Sequence, residues 1–61
     1  MKYMYTVILL SSYDDNVELL NTNVVAIDKG NALKQIIRKF PDEVEKCGGI
    51  QIYQDVDFAY T

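Results

Sequence analysis

The chain has 61 residues, of which 49% are hydrophobic and 25% charged, and its formal net charge is −3. This length allows one domain with a small core, and the composition is too apolar for intrinsic disorder. The acidic balance argues against a general DNA-binding protein. We therefore expect residues 1–61 to fold as a single small domain.

The first predicted element is a strand over residues 3–11, which is apolar on both faces. The alternating sets are Tyr3, Tyr5, Val7 and Leu9 on one side and Met4, Thr6, Ile8 and Leu10 on the other. A strand with one solvated face alternates apolar with polar residues. We therefore predict that this strand is central in its sheet.

A second strand is predicted over residues 17–27, after a cluster of turn-forming residues at 12–16. The two strands are predicted to form an antiparallel hairpin. Asn21-Thr22-Asn23 is a poor strand sequence, so we expect a bulge, a bend or a break there.

A helix is predicted to begin at Lys29 or Gly30, with Asp28 as its N-cap. Its apolar stripe, which is expected to pack on the sheet, consists of Ala32, Leu33, Ile36, Ile37 and Phe40. Pro41 ends this helix and suits the first position of a second, short helix. Gly48 and Gly49 are predicted to cap that second helix.

The period of two returns at Ile50 and predicts a third strand, which we expect to end near Gln54 or Asp55. Residues 55–61 then form an extended C-terminal segment, although a longer strand, a fourth strand or a tail also fits. Phe58 and Tyr60 would need a surface to lie on. The predicted fold class is α+β: a small antiparallel sheet with one main helix on one face, in the order β-β-α-(short α)-β.

The sequence contains no motif for catalysis, metal binding or cofactor binding. It has no histidine, one cysteine and no glycine-rich phosphate loop. Cys47 is expected to have a packing role, and a lone cysteine is typical of a reducing compartment. We expect no enzyme, no cofactor, no membrane partner, and a cytoplasmic location.

An interaction role follows from the two apolar faces of the first strand, because one helix can cover only one of them. We expect the face that the helix leaves uncovered to bear Tyr3, Tyr5, Val7, Leu9 and Tyr53. The predicted occupant is a second copy of the chain, in a homodimer or higher oligomer, another protein, or both.

Two alternative functions depend on charge. Residues 28–40 carry four of the six positive charges, and three of these, Lys34, Arg38 and Lys39, form a predicted basic patch on the outer surface of the helix. This patch is either a solvated exterior or a site for an acidic protein or nucleic-acid phosphates, as in a nucleic-acid-binding regulator. The acidic residues on either side of 28–40 allow the opposite function, a mimic of DNA phosphates.

Residues 3–40 also resemble a known group of proteins. The resemblance lies in a strand, a turn, a second strand ending in Val24-Val25-Ala26-Ile27-Asp28, and a helix with a small residue at Ala32. This plan is similar to small orphan proteins of bacteriophages and mobile elements, including the DpnD/PcfM-like group, in which acidic residues stand in place of Lys29-Gly30-Asn31. The resemblance implies a phage-encoded inhibitor or modulator of a host protein, including a defence protein, that acts in the host cytoplasm. It assigns no functional residues.

Overall fold

Three antiparallel strands and two helices make up residues 2–14 and 16–60, which the computed structural model describes, with the backbone alone described for 56–60. The elements are β1 (Lys2–Ser11), β2 (Glu18–Ala26), α1 (Lys29–Lys39), α2 (Pro41–Lys46) and β3 (Cys47–Tyr60). The strand order is β2-β1-β3, so β1 is central. The predicted α+β fold and its element order are confirmed.

The β1–β2 hairpin closes through a short hydrogen-bonded turn. The Ser11 N–H donates to the Val17 carbonyl over 2.9 Å, and the Val17 N–H donates to the Asp14 carbonyl over 3.0 Å. The Asp14 carboxylate also accepts from the Asn16 N–H at 2.9 Å. The turn is therefore present where it was expected, although Asp15 lies outside the described residues.

The predicted irregularity at Asn21–Asn23 is wrong. These residues pair with β1 in regular register, and the shift falls farther toward the hairpin, where Leu9 lies opposite Leu20 and Leu10 lies opposite Glu18. A cross-strand hydrogen bond of 2.9 Å from the Thr6 hydroxyl to the Asn23 side-chain oxygen compensates for the weak strand propensity of asparagine here.

Helix α1 begins where its cap predicts. The Asp28 carboxylate accepts from the Asn31 N–H at 2.7 Å, and Ala32 and Ile36 are fully buried. Ile37, predicted to belong to the packed stripe, is instead 46% exposed. The reason is that α1 packs on β1 and β2, so the flank of the helix that bears Ile37 has no strand beneath it to cover it.

Gly48 and Gly49 do not cap α2, contrary to expectation. Cys47 is the C-cap, in an extended conformation, and both glycines belong to β3. Gly48 is the extra residue of a bulge, because Gly49 lies opposite Leu10 while Cys47 lies opposite Ser11. A Cβ atom on Gly48 would lie only 2.6 Å from the Ser12 Cα atom, so close backbone approach requires the glycine.

Strand β3 continues beyond Gln54 and Asp55, where we expected it to end. It pairs regularly with β1 over residues 49–55, shifts register, and pairs again where Ala59 lies opposite Tyr3. The backbone of residues 55–60 is therefore part of the sheet. The predicted contacts of Phe58 and Tyr60 lie outside the described residues, because no side chain is described there.

Candidate functional site

The helix-covered side of the sheet is the core, and it contains most of the residues that we expected on the uncovered side. Tyr5, Val7 and Leu9 are 3%, 0% and 0% exposed, and they cluster with the buried residues of β2 and α1. Tyr3 packs against the same cluster. The assignment of these four residues to the uncovered face is therefore wrong.

The hairpin register explains the correction. Tyr5 lies opposite Val24, whereas Thr6 lies opposite Asn23 and Ile8 lies opposite Asn21. Directly opposed residues of antiparallel strands share a face, so the two asparagines mark the solvated side. The sequence of β2 therefore indicates which side is solvated. The sequence of β1 does not, because both of its faces are apolar.

The side of the sheet away from the helices is a candidate interaction surface, which we call the open sheet face. Its residues are Lys2, Met4, Thr6, Ile8 and Leu10 on β1, Glu18, Asn21, Asn23 and Val25 on β2, and Gln51, Tyr53 and Asp55 on β3. Of the five residues that we expected on the uncovered side, Tyr53 alone lies on this face, opposite Thr6. Its side chain is 54% exposed.

The open sheet face is apolar along its centre and hydrogen-bonded along its sides. Met4, Ile8 and Leu10 are half-buried along β1. On the β3 side, the Tyr53 hydroxyl donates to the Gln51 side-chain oxygen over 2.9 Å, and the Thr6–Asn23 hydrogen bond occupies the β2 side. The described charges of the face lie at its two ends, with Glu18 at the hairpin end and Lys2 and Asp55 at the other.

The outer surface of the helical layer has the opposite character. Lys34, Arg38 and Lys39 are all exposed there, as the predicted basic patch requires. Lys34 and Arg38 are four residues apart and thus lie on the same side of α1. Asp42 follows in the first turn of α2, so carboxylates begin directly where the basic patch ends.

The described carboxylates are not gathered on one surface. Asp14 lies in the hairpin turn, and Asp42 and Glu43 lie in α2. Asp55 lies on β3 opposite Met4, toward the end of the sheet away from the hairpin. Asp15 and the side chain of Asp57 lie outside the description.

Other kinds of site are not found in the described part of the chain. It contains no concave pocket and no group of three or more histidine, cysteine, aspartate or glutamate residues placed to hold a metal ion. None of its helices has both the length and the apolar character needed to cross a bilayer. The Cys47 thiol donates to the Val44 carbonyl oxygen over 3.0 Å, and the side chain packs against the core. No protein-family model, curated protein or solved structure matches this chain.

Proposed function

We propose that this chain is a non-enzymatic protein-binding module that contacts its partner through the open sheet face. The observation that carries the proposal is the contrast between the two outer surfaces of the molecule. The helical exterior displays Lys34, Arg38 and Lys39, whereas the open sheet face has an apolar centre, and its described charges lie only at its two ends. Interface centres differ from other protein surfaces in their low charge and their enrichment in tyrosine and methionine.

The dimensions of this face indicate the kind of complex. Three strands about 4.8 Å apart and a length of roughly 30 Å give a projected area of roughly 450 Å². A standard interface buries about 800 Å² on each partner. One copy of the face therefore supports a modest affinity for a flat protein surface with an apolar centre.

The test compares two tyrosines on different surfaces. Tyr53 lies on the open sheet face and is 54% exposed, whereas Tyr13 lies in the hairpin turn and is 98% exposed. A photo-crosslinking amino acid at position 53 is expected to capture a partner from a lysate of the source cell, and the same group at position 13 is not. Capture through an affinity tag is expected to fall about tenfold in Tyr53→Ala, since tyrosine is a frequent hot-spot residue, and to stay unchanged in Tyr13→Ala.

The same experiment separates the alternative functions. Nucleic-acid binding through the basic patch predicts that Lys34→Glu/Arg38→Glu loses capture while Tyr53→Ala retains it. Capture would then also be sensitive to nuclease and fall steeply with salt concentration. Equal capture by the Tyr53 and Tyr13 variants would contradict the assignment of the open sheet face.

The narrower proposal, an inhibitor or modulator of a host defence protein, rests on the resemblance to small phage proteins. It places the complex in the host cytoplasm, where Cys47 would stay reduced. It predicts that expression of the chain weakens host defence against a phage, and that Tyr53→Ala removes this effect while Tyr13→Ala retains it.

A further inference from the structure

We propose that the outer edge of β3 pairs with the same edge of a second copy, so that two chains form one continuous six-stranded antiparallel sheet. This inference goes beyond the proposed function because it uses the edge of the sheet and not its open face. It follows from a difference between the two edge strands and from the apolar side chains beside β3.

The β2 edge is partly closed by a side chain of α1. The Gln35 side-chain amide donates to the Val25 carbonyl oxygen over 2.9 Å and also to the Asn31 side-chain oxygen over 3.1 Å. Gln35 is thus held where an added strand would have to pair with β2. Covering backbone groups in this way is one means by which proteins prevent unwanted strand addition.

The β3 edge lacks comparable protection. β3 pairs with β1 on one side only, so alternate residues direct backbone N–H and C=O groups outward. Exposed edges are usually protected by charged side chains, especially lysine, by proline, by β-bulges or by a short strand. Residues 49–54 lie between the two register shifts of β3 and contain no charged residue and no proline, and β3 is the longest strand, at 14 residues.

Apolar side chains beside this edge are left without cover. Ile50 is 40% exposed and Ile52 is half-buried on the helix-facing side of β3. A two-fold axis perpendicular to the sheet keeps both helical layers on the same side. Ile50 and Ile52 would then approach their counterparts in the second copy and lose contact with water.

The regular part of β3 defines a register for this dimer. Its pairing with β1 is uninterrupted from Gly49 to Asp55, and the centre of that stretch is Ile52. A two-fold axis there places Ile52 opposite Ile52 of the second copy, and Asp55 opposite Gly49 of the second copy. No two carboxylates within residues 49–55 are then directly opposed, so the pairing avoids like-charge repulsion.

The buried area predicts a weak dimer. A stretch of residues 49–55 is roughly 24 Å long, and a sheet with its side chains is roughly 10 Å thick at this edge, because α1 packs on β1 and β2. Two copies therefore bury roughly 500 Å², which is typical of weak, transient contacts. We expect a monomer–dimer equilibrium with a dissociation constant on the order of 100 µM.

Analytical ultracentrifugation from about 1 µM to about 1 mM tests this inference, because the range spans the affinities of weak interfaces. The wild-type mass is expected to rise from that of one chain to that of two. Ile50→Lys places a charge beside the edge, and its dissociation constant is expected to rise about tenfold or more. The matched control Ile27→Lys changes an isoleucine that is 56% exposed beyond the end of β2, and it is expected to dimerise like the wild type.

Two further measurements keep the test independent of any folding defect in Ile50→Lys. Gln54→Lys alters an exposed polar side chain on the same side of β3 and is expected to weaken the dimer similarly, with an unchanged circular dichroism spectrum. Cys47→Ser/Ile52→Cys is expected to oxidise rapidly to a covalent dimer, since directly opposed Cβ atoms lie about 5 Å apart. Cys47→Ser/Ile27→Cys, whose thiol is more exposed, is expected to crosslink more slowly.

A wild type that stays monomeric at all concentrations overturns the inference, as does an Ile50→Lys variant that dimerises like the wild type. A dimer that is lost in Tyr53→Ala and retained in Gln54→Lys places the contact on the open sheet face and also overturns it. A monomer that still captures its partner through Tyr53 rejects edge pairing and leaves the proposed function standing.

Discussion

At the residue scale, Asp28 shows how one side chain fixes the start of an element. Its carboxylate accepts from the Asn31 N–H at 2.7 Å and satisfies one of the backbone donors that the first turn of α1 leaves free. The first turn itself contains no acidic side chain, so Asp28 is the acidic residue that lies nearest to the N-terminus of α1.

Asp28→Ala is therefore expected to lower the free energy of unfolding by about 1 kcal/mol, the usual effect of losing an N-cap. Asp28→Asn retains an acceptor oxygen and is expected to recover most of that loss. Urea denaturation followed by circular dichroism measures both variants. Equal stability of the alanine and asparagine variants would indicate that the hydrogen bond does not contribute.

The adjacent glycines of β3 differ in what surrounds them. A Cβ atom on Gly48 would lie 2.6 Å from the Ser12 Cα atom, whereas one on Gly49 would meet only the Leu10 side chain at 3.9 Å. Neither glycine has a positive φ, so space and not backbone conformation distinguishes them.

Gly48→Ala is expected to destabilise the chain by about 1–3 kcal/mol, because the backbone at the bulge must move. Gly49→Ala is the matched control and is expected to be neutral or stabilising by a few tenths of a kcal/mol, since alanine restricts the unfolded chain. Thermal unfolding of the two variants measures the difference. A Gly48→Ala variant as stable as Gly49→Ala would contradict the close approach at the bulge.

At the element scale, local patterns predicted the order of the strands and helices but not the orientation of β1. The Asp28 cap and Pro41 gave both helix starts correctly, because capping depends on neighbours in sequence. The buried side of β1 depends on its pairing with β2, where Val24 and Asn23 lie on opposite faces. The bulge at Gly48 and the extension of β3 to Tyr60 also depend on contacts that are distant in sequence, so local patterns did not contain them.

Two adjacent isoleucines test the orientation of α1. Ile36 is fully buried, whereas Ile37 is 46% exposed. Ile36→Val is expected to cost about 1 kcal/mol, the usual effect of removing one buried methylene group, and Ile37→Val is expected to have little effect. The conservative change is chosen because a chain of this length is stabilised by only about 3–5 kcal/mol. Equal losses in urea denaturation would contradict the observed rotation of the helix.

At the scale of the whole molecule, the single helical layer leaves two kinds of surface for association. The sequence indicated a surplus of apolar surface, and the structure locates it on the open sheet face and beside the β3 edge. Of the five residues expected on the uncovered side, Tyr53 alone lies there, because the side of β1 that the helices cover was not fixed by β1 itself. Edge pairing and face binding are compatible, since they use different atoms of β3.

The two proposals together predict that dimerisation strengthens partner binding. Edge pairing joins two open sheet faces into one surface about 30 Å wide, with roughly twice the area of a single face, which is enough for the roughly 800 Å² that a standard interface buries on each partner. Ile50→Lys is therefore expected to reduce photo-crosslinking from position 53 to the partner, although it leaves the open sheet face intact, whereas Ile27→Lys retains it. The yield is measured at chain concentrations on either side of the dimer dissociation constant. If Ile50→Lys leaves the crosslinking yield unchanged both below and above that dissociation constant, one copy of the open sheet face is sufficient for binding.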